Sequence, residues 1–145
     1  MSNAVDSANL ILKLYELRRE ETMRKARDFM VSFDPKTFEE MQAGYAGPNS
    51  AYVRMVTGYW EMAASFVTSG AIDLKTFDAA TGEHILVFSK VQPFLPQLRE
   101  MFGSPAMLEN LEKVCLSLPG GLERVNATRE RIRAMLAMRA AASAK

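Results

Sequence analysis

The sequence predicts an all-α fold, a compact bundle of about five to seven helices around a buried central helix near residues 50–69. Three observations carry that expectation. Apolar residues recur three and four apart through most of the chain, the period of a helix face rather than of a strand. Helix-start chemistry precedes two of those stretches: Phe33-Asp34-Pro35-Lys36-Thr37-Phe38 and Ile72-Asp73-Leu74-Lys75-Thr76-Phe77 each set an Asp between apolar residues spaced as a hydrophobic staple. The 145 residues are 48% hydrophobic and 24% charged, enough apolar material to bury a core in one domain covering 1–145.

The first helix is expected to start at Asp6 or Ser7 as N-cap and run to about Val31. Ile11, Tyr15, Thr22, Ala26 and Phe29 follow one face, with Leu10, Leu14 and Leu17 beside it. Its basic residues are interleaved with Glu16, Glu20, Glu21 and Asp28, and Glu20–Arg24 and Glu21–Lys25 are spaced as i,i+4 pairs. Such a face is self-paired and solvated. In the next segment Asp34 suits the N-cap and Pro35 the first helical position, with Phe33 and Phe38 as the staple. Gly47-Pro48-Asn49-Ser50 then turns the chain into the central helix.

That helix carries Tyr52, Val56, Tyr59, Ala63 and Phe66 on one stripe and Val53, Trp60 and Val67 on the next. Met55 and Met62 make a third, leaving a narrow polar seam of Arg54, Thr57, Glu61, Ser65 and Thr68. A helix apolar over most of its girth is enclosed by other helices. Tyr59, Trp60 and Phe66 are therefore the expected core anchors. Glu61 has two readings: a carboxylate paired or hydrated at the edge of the core, or a binding or acid/base group. Arg54 is the only other titratable residue on its seam, too little for chemistry. Lys90 and Arg99 are the expected partners of Glu61.

After Gly70, Asp73 is the N-cap of a further helix, with Ile72 and Phe77 as staple. Its likeness to the segment at Asp34 ends after six residues, which favours convergent capping over duplication. Pro93 and Pro96 each remove a backbone hydrogen bond, so a break is expected between Glu83–Val91 and the helix through Leu98 to Met101. His84, the only histidine, is expected in an exposed first turn. Beyond Ser104-Pro105, Leu108, Leu111, Cys115 and Leu118 stripe a helix that ends at Pro119-Gly120-Gly121, so Cys115 is read as a buried apolar residue. The last helix starts near Leu122, with Arg129 and Arg133 placed to reach acidic groups of the middle segment, and its end from Ala140 is expected to fray.

Charge narrows the function classes. The net charge is +1, so no global field draws the chain to nucleic acid or anionic lipid. It is uneven, however: residues 31–120 hold six basic and ten acidic groups, and residues 121–145 six basic and two acidic. A basic end over an acidic middle suits docking within or between copies. The sequence holds no Gly-rich phosphate loop, no nucleophile with a histidine base and no zinc spacing. One histidine cannot supply the paired Glu-x-x-His motifs of a di-iron bundle. No catalytic, cofactor-binding or metal-ligating residue is expected, and no cofactor. Neither a secretory signal nor a membrane span is read, so cytoplasmic residence is the expectation.

From Tyr59 to Leu118 the chain resembles a family of small, uncharacterised bacterial proteins, the DUF4760-like group. Tyr59-Trp60-Glu61, Val67, Gly70-Ala71-Ile72-Asp73, Phe77, Phe88-Ser89-Lys90, Pro93-Phe94-Leu95 and Leu98-Arg99 carry the resemblance. It implies an all-helical fold and brings no activity with it. The functional expectation is a non-enzymatic interaction or scaffold module that associates with itself or with another protein. The alternative is a small-ligand or anion-binding bundle using Glu61, Lys90 and Arg99. Weaker still is nucleic-acid binding through the Arg-rich last helix.

Overall fold

The computed structural model describes residues 4–144, so the two chain ends of the single-domain reading, residues 1–3 and Lys145, lie outside the described residues. The helices are α1 (Ala4–Arg18), α2 (Glu21–Ser32), α3 (Phe38–Ala46), α4 (Ser50–Thr68), α5 (Leu74–Ala80), α6 (Glu83–Val91), α7 (Leu95–Met101), α8 (Glu109–Ser117) and α9 (Gly121–Ser143). A single 3-10 turn, Gln92–Phe94, joins α6 to α7, and no strand occurs among the described residues. The class is all-α, with more helices than the five to seven expected.

The extra helices arise where local polar chemistry interrupts an apolar period. The first expected helix divides at Glu20, whose extended backbone lets its carboxylate accept from Thr22 N at 3.0 Å and Met23 N at 2.9 Å. A carboxylate satisfying two free N–H groups starts a new helix and leaves the pairing expected with Arg24. The other expected pair, Glu21–Lys25, forms on the exposed face at 3.6 Å. At the next start, Thr37 and not Asp34 is the N-cap, accepting from Glu40 N at 3.2 Å. Phe33 packs on α3 instead of stapling it: a Cβ on Gly44 would meet the ring of Phe33 at 2.5 Å. Asp73 caps α5 as expected, accepting from Thr76 N at 3.0 Å.

The central helix lies where the sequence put it. Val53, Val56, Trp60, Ala63 and Ala64 of α4 are buried, and α2, α8, α3, α6 and α5 pack around them. Trp60 is 1% exposed, whereas Tyr59 and Phe66 are partly buried residues packed against the core. Met30, Met41, Phe77, Phe88, Leu95, Leu98 and Leu111 complete the interior from six other helices. Cys115 is buried, and burial pushes its thiol up to about 12. The two N-terminal and C-terminal helices sit differently. α9 lies along α6 and α8, its last turns exposed from Ala137 onward, while α1 rests mainly on α5 and α2 at the periphery.

Candidate functional site

The densest polar network starts from the apolar surface of α4. Because Trp60 faces the interior, its indole N–H must find an acceptor there. Glu83, in the first turn of α6, supplies it: Trp60 Nε1 donates to Glu83 Oε2 at 3.2 Å. Arg27 of α2 reaches the same carboxylate, its Nε donating to both oxygens at 3.0 Å and its Nη2 lying 3.0 Å from Oε1. These bonds to Glu83 raise the Arg27 guanidinium above its ordinary value. Arg27 Nη1 also donates to Arg18 O at 3.3 Å, tying in the end of α1. Arg18 stacks over Tyr15 and Trp60, its Cζ 5.0 and 5.4 Å from the two ring centroids. Tyr59 stands edge-on to Trp60 and donates its hydroxyl to Leu14 O. Burial pushes that phenol up to about 12, so it donates at any physiological pH. One carboxylate, two arginines and three aromatic rings thus lock α1, α2, α4 and α6 together.

His84 belongs to the same wall and corrects the sequence reading. It is 1% exposed, not in an open first turn, with its ring 4.9 Å from Phe77 and 5.8 Å from Trp60. Its Nδ1 lies 3.0 Å from the Thr81 hydroxyl. Burial outweighs the nearby Asp78 carboxylate and lowers the imidazole from 6.5 to about 4. The unfolded chain therefore takes a proton near pH 6.5 that the folded chain refuses until about pH 4. Stability is full above the unfolded value and falls as the pH drops through that window, by about 3 kcal/mol from this residue alone. Urea midpoints measured across the window should fall less steeply for His84→Leu than for the native chain. Equal slopes would contradict the assignment.

Glu61, Lys90 and Arg99 do not form one cluster. Glu61 accepts from the start of α8: Leu111 N at 2.8 Å, Asn110 N at 3.3 Å and Asn110 Nδ2 at 2.9 Å. A carboxylate from α4 here serves as the cap that α8 lacks in its own sequence, because Leu108 at its N-cap position offers no oxygen. Arg99 braces the same loop from the other side, donating to Met107 O at 3.0 Å and to Glu112 Oε1 at 2.9 Å. Between these braces Leu108 takes φ 56°, the left-handed region that a γ-branched side chain seldom adopts. Lys90 is buried elsewhere, donating to Phe33 O at 2.5 Å and Val31 O at 3.2 Å at the end of α2. Burial lowers its ammonium to about 8.

Three of the five arginines of α9, Arg124, Arg129 and Arg133, also reach back to the bundle, while Arg131 and Arg139 are exposed. Arg133 Nε donates to Asp34 Oδ1 at 2.9 Å, the use that Asp34 finds in place of capping α3. Arg129 donates to Ser89 O and Gln92 Oε1, both at 2.8 Å, and Arg124 reaches Asp78 at 2.6 Å. Of the two arginines expected to reach the acidic middle, Arg133 does so at Asp34, whereas Arg129 bonds a carbonyl and an amide oxygen; these contacts occupy donors that a nucleic-acid face would use.

Among the described residues no group of three or more His, Cys, Asp or Glu side chains stands close enough to hold a metal ion. No helix among them is long and apolar enough to cross a membrane. The signal missed in the sequence was Arg27–Glu83–Trp60, three residues on three helices with no local spacing to connect them. A buried indole always needs an acceptor, and that requirement is the one clue the sequence carried.

No curated protein and no solved structure matches the chain. A family model does match, over residues 3–117, which takes in every helix from α1 to α8 and so reaches well N-terminal of the Tyr59–Leu118 resemblance. The helices that build the Trp60–Glu83–Arg27 network all lie inside that span, and α9 lies beyond it. The chain belongs to the DUF4760 family, a domain of unknown function.

Proposed function

We propose that this chain is a non-enzymatic helical interaction module that self-associates through α1. The observation that carries this reading is the mismatch between how apolar α1 is and how little of it the fold covers. Ser7, Ile11 and Leu14 face inward. On one flank Val5, Leu12 and Tyr15 are 68%, 61% and 53% exposed, and on the other Leu10 and Leu17 are 38% and 47% exposed. Asp6, Asn9, Lys13 and Glu16 form the remaining ridge. A helix with so narrow a polar ridge is ordinarily enclosed on more than one side.

Several ionisable groups are already engaged within the fold. Glu83, Glu61, Lys90, Arg99 and Arg133 each have protein partners that hold helices or loops together. What the surface has to offer is apolar area, and apolar area outside a core supports association. Sedimentation velocity across a concentration series is expected to show monomer giving way to a larger species. Leu12→Glu should return the native chain to monomer while leaving its far-UV circular dichroism unchanged, because Leu12 faces away from the core. Monomer at every concentration, or an unaltered distribution for Leu12→Glu, would overturn the proposal.

A further inference from the structure

We propose that the pocket between α6, α9 and the α2–α3 connection binds inorganic phosphate through Arg133 and Asp34. This goes beyond self-association and does not depend on it. The pocket has a volume of about 10 Å³ and is lined by Asp34, Lys90, Arg129 and Arg133 beside an apolar wall that includes Pro35 and Pro93. That is room for one oxygen-sized group, so one phosphate oxygen enters and the others stay in the mouth.

Three cations line this pocket against the single carboxylate of Asp34, an excess of two positive charges. Burial lowers both Lys90 and Arg129, Arg133 lowers them further and Asp34 raises them, so these four charges share one field. Lys90, lowered to about 8, still keeps most of its charge at neutral pH. Glu130 lies 3.8 Å from Arg133 Nη1, but its side chain is 74% exposed and water screens it.

Lys90 and Arg129 are already bonded within the fold and supply charge. Arg133 has donors to spare: it donates only through Nε, to Asp34 Oδ1 at 2.9 Å. Its two terminal nitrogens have no hydrogen-bond acceptor and both reach solvent, since Arg18 Nε is the one buried side-chain nitrogen or oxygen without a partner among the described residues. The same holds for Asp34 Oδ2, which accepts no hydrogen bond among them. Open guanidinium donors bind any oxyanion by charge-assisted bonds. The open carboxylate oxygen makes the site selective, because it accepts from the P–OH of phosphate. Sulfate and the dianion of a phosphate monoester carry no such proton, and Asp34 repels them.

The full chain, labelled with nitrogen-15, is titrated with inorganic phosphate at about pH 7.5, where a monoester has lost its second proton. Sodium chloride holds the ionic strength constant. Five non-hydrogen atoms limit the affinity to about micromolar at best, so shifts of the Arg133 and Arg129 Nε–H signals should saturate by roughly 10 mM phosphate. Sulfate and glycerol 3-phosphate should bind at least about tenfold more weakly, the worth of one hydrogen bond to a charged group. Asp34→Asn should bring sulfate level with phosphate, and Arg133→Gln should abolish saturation at the Arg129 signal. Linear or absent shifts with phosphate in the native chain overturn the proposal even if neither variant folds. So does equal binding of sulfate and phosphate by the native chain, discrimination preserved in folded Asp34→Asn, or a native response in folded Arg133→Gln.

Discussion

Trp60→Ala is expected to destabilise the chain by about 3–5 kcal/mol. The ring is 1% exposed and contacts Tyr59, Phe77 and His84, so its removal leaves a cavity bounded by side chains of three helices. The substitution also strips Glu83 of one donor. Because domains of ordinary size are stable by only about 5–15 kcal/mol, the loss should move the urea midpoint by a large fraction of its value. Far-UV circular dichroism is the appropriate probe, since the change removes the only indole. A midpoint unchanged within error would place the core elsewhere.

The second large effect is expected at Glu83. Glu83→Ala leaves the Arg27 guanidinium without its carboxylate and the Trp60 N–H without an acceptor, at a cost of about 3 kcal/mol. The pair is mostly but not wholly shielded, with Arg27 and Glu83 side chains 29% and 16% exposed, so the loss should fall at the lower end for buried ion pairs. The discriminating variant is Arg27→Met. If the loss comes from an abandoned cation, the double variant should be nearly as stable as Arg27→Met alone, and a double-mutant cycle should return a large coupling. Strict additivity would mean that Glu83 and Arg27 act separately, contrary to the geometry.

Much of this fold was legible in the sequence. Periodicity at three and four residues placed α4 within a residue of its bounds, because a helix surrounded by others is apolar nearly all round. The cap at Asp73 was legible for a similar reason: a side chain bonding an N–H three residues on is a local event. Asp34 had the same local chemistry and a different outcome, because Arg133, 99 residues away, takes its carboxylate and Thr37 can cap in its place. The division of the first helix at Glu20 was local, two and three residues apart, but long-range partners decided the readings of Glu61 and His84. Glu61 had two readings in the sequence, and its acceptor role at the start of α8 depends on how α4 and α8 cross. His84 looked exposed because only its sequence neighbours were visible; Phe77 and Trp60 enclose it through the tertiary fold.

These assignments converge on one division of labour. Charged side chains within the bundle join its helices, and in the proposed function the apolar flanks of α1 act outward. Hydrogen exchange at low and high protein concentration tests that division most directly. Amides of α1 are expected to exchange more slowly as the concentration rises, because association both covers this peripheral helix and favours its docked state. Those of α4, already buried at the centre, should not change. Exchange in α1 that is independent of concentration would contradict the account.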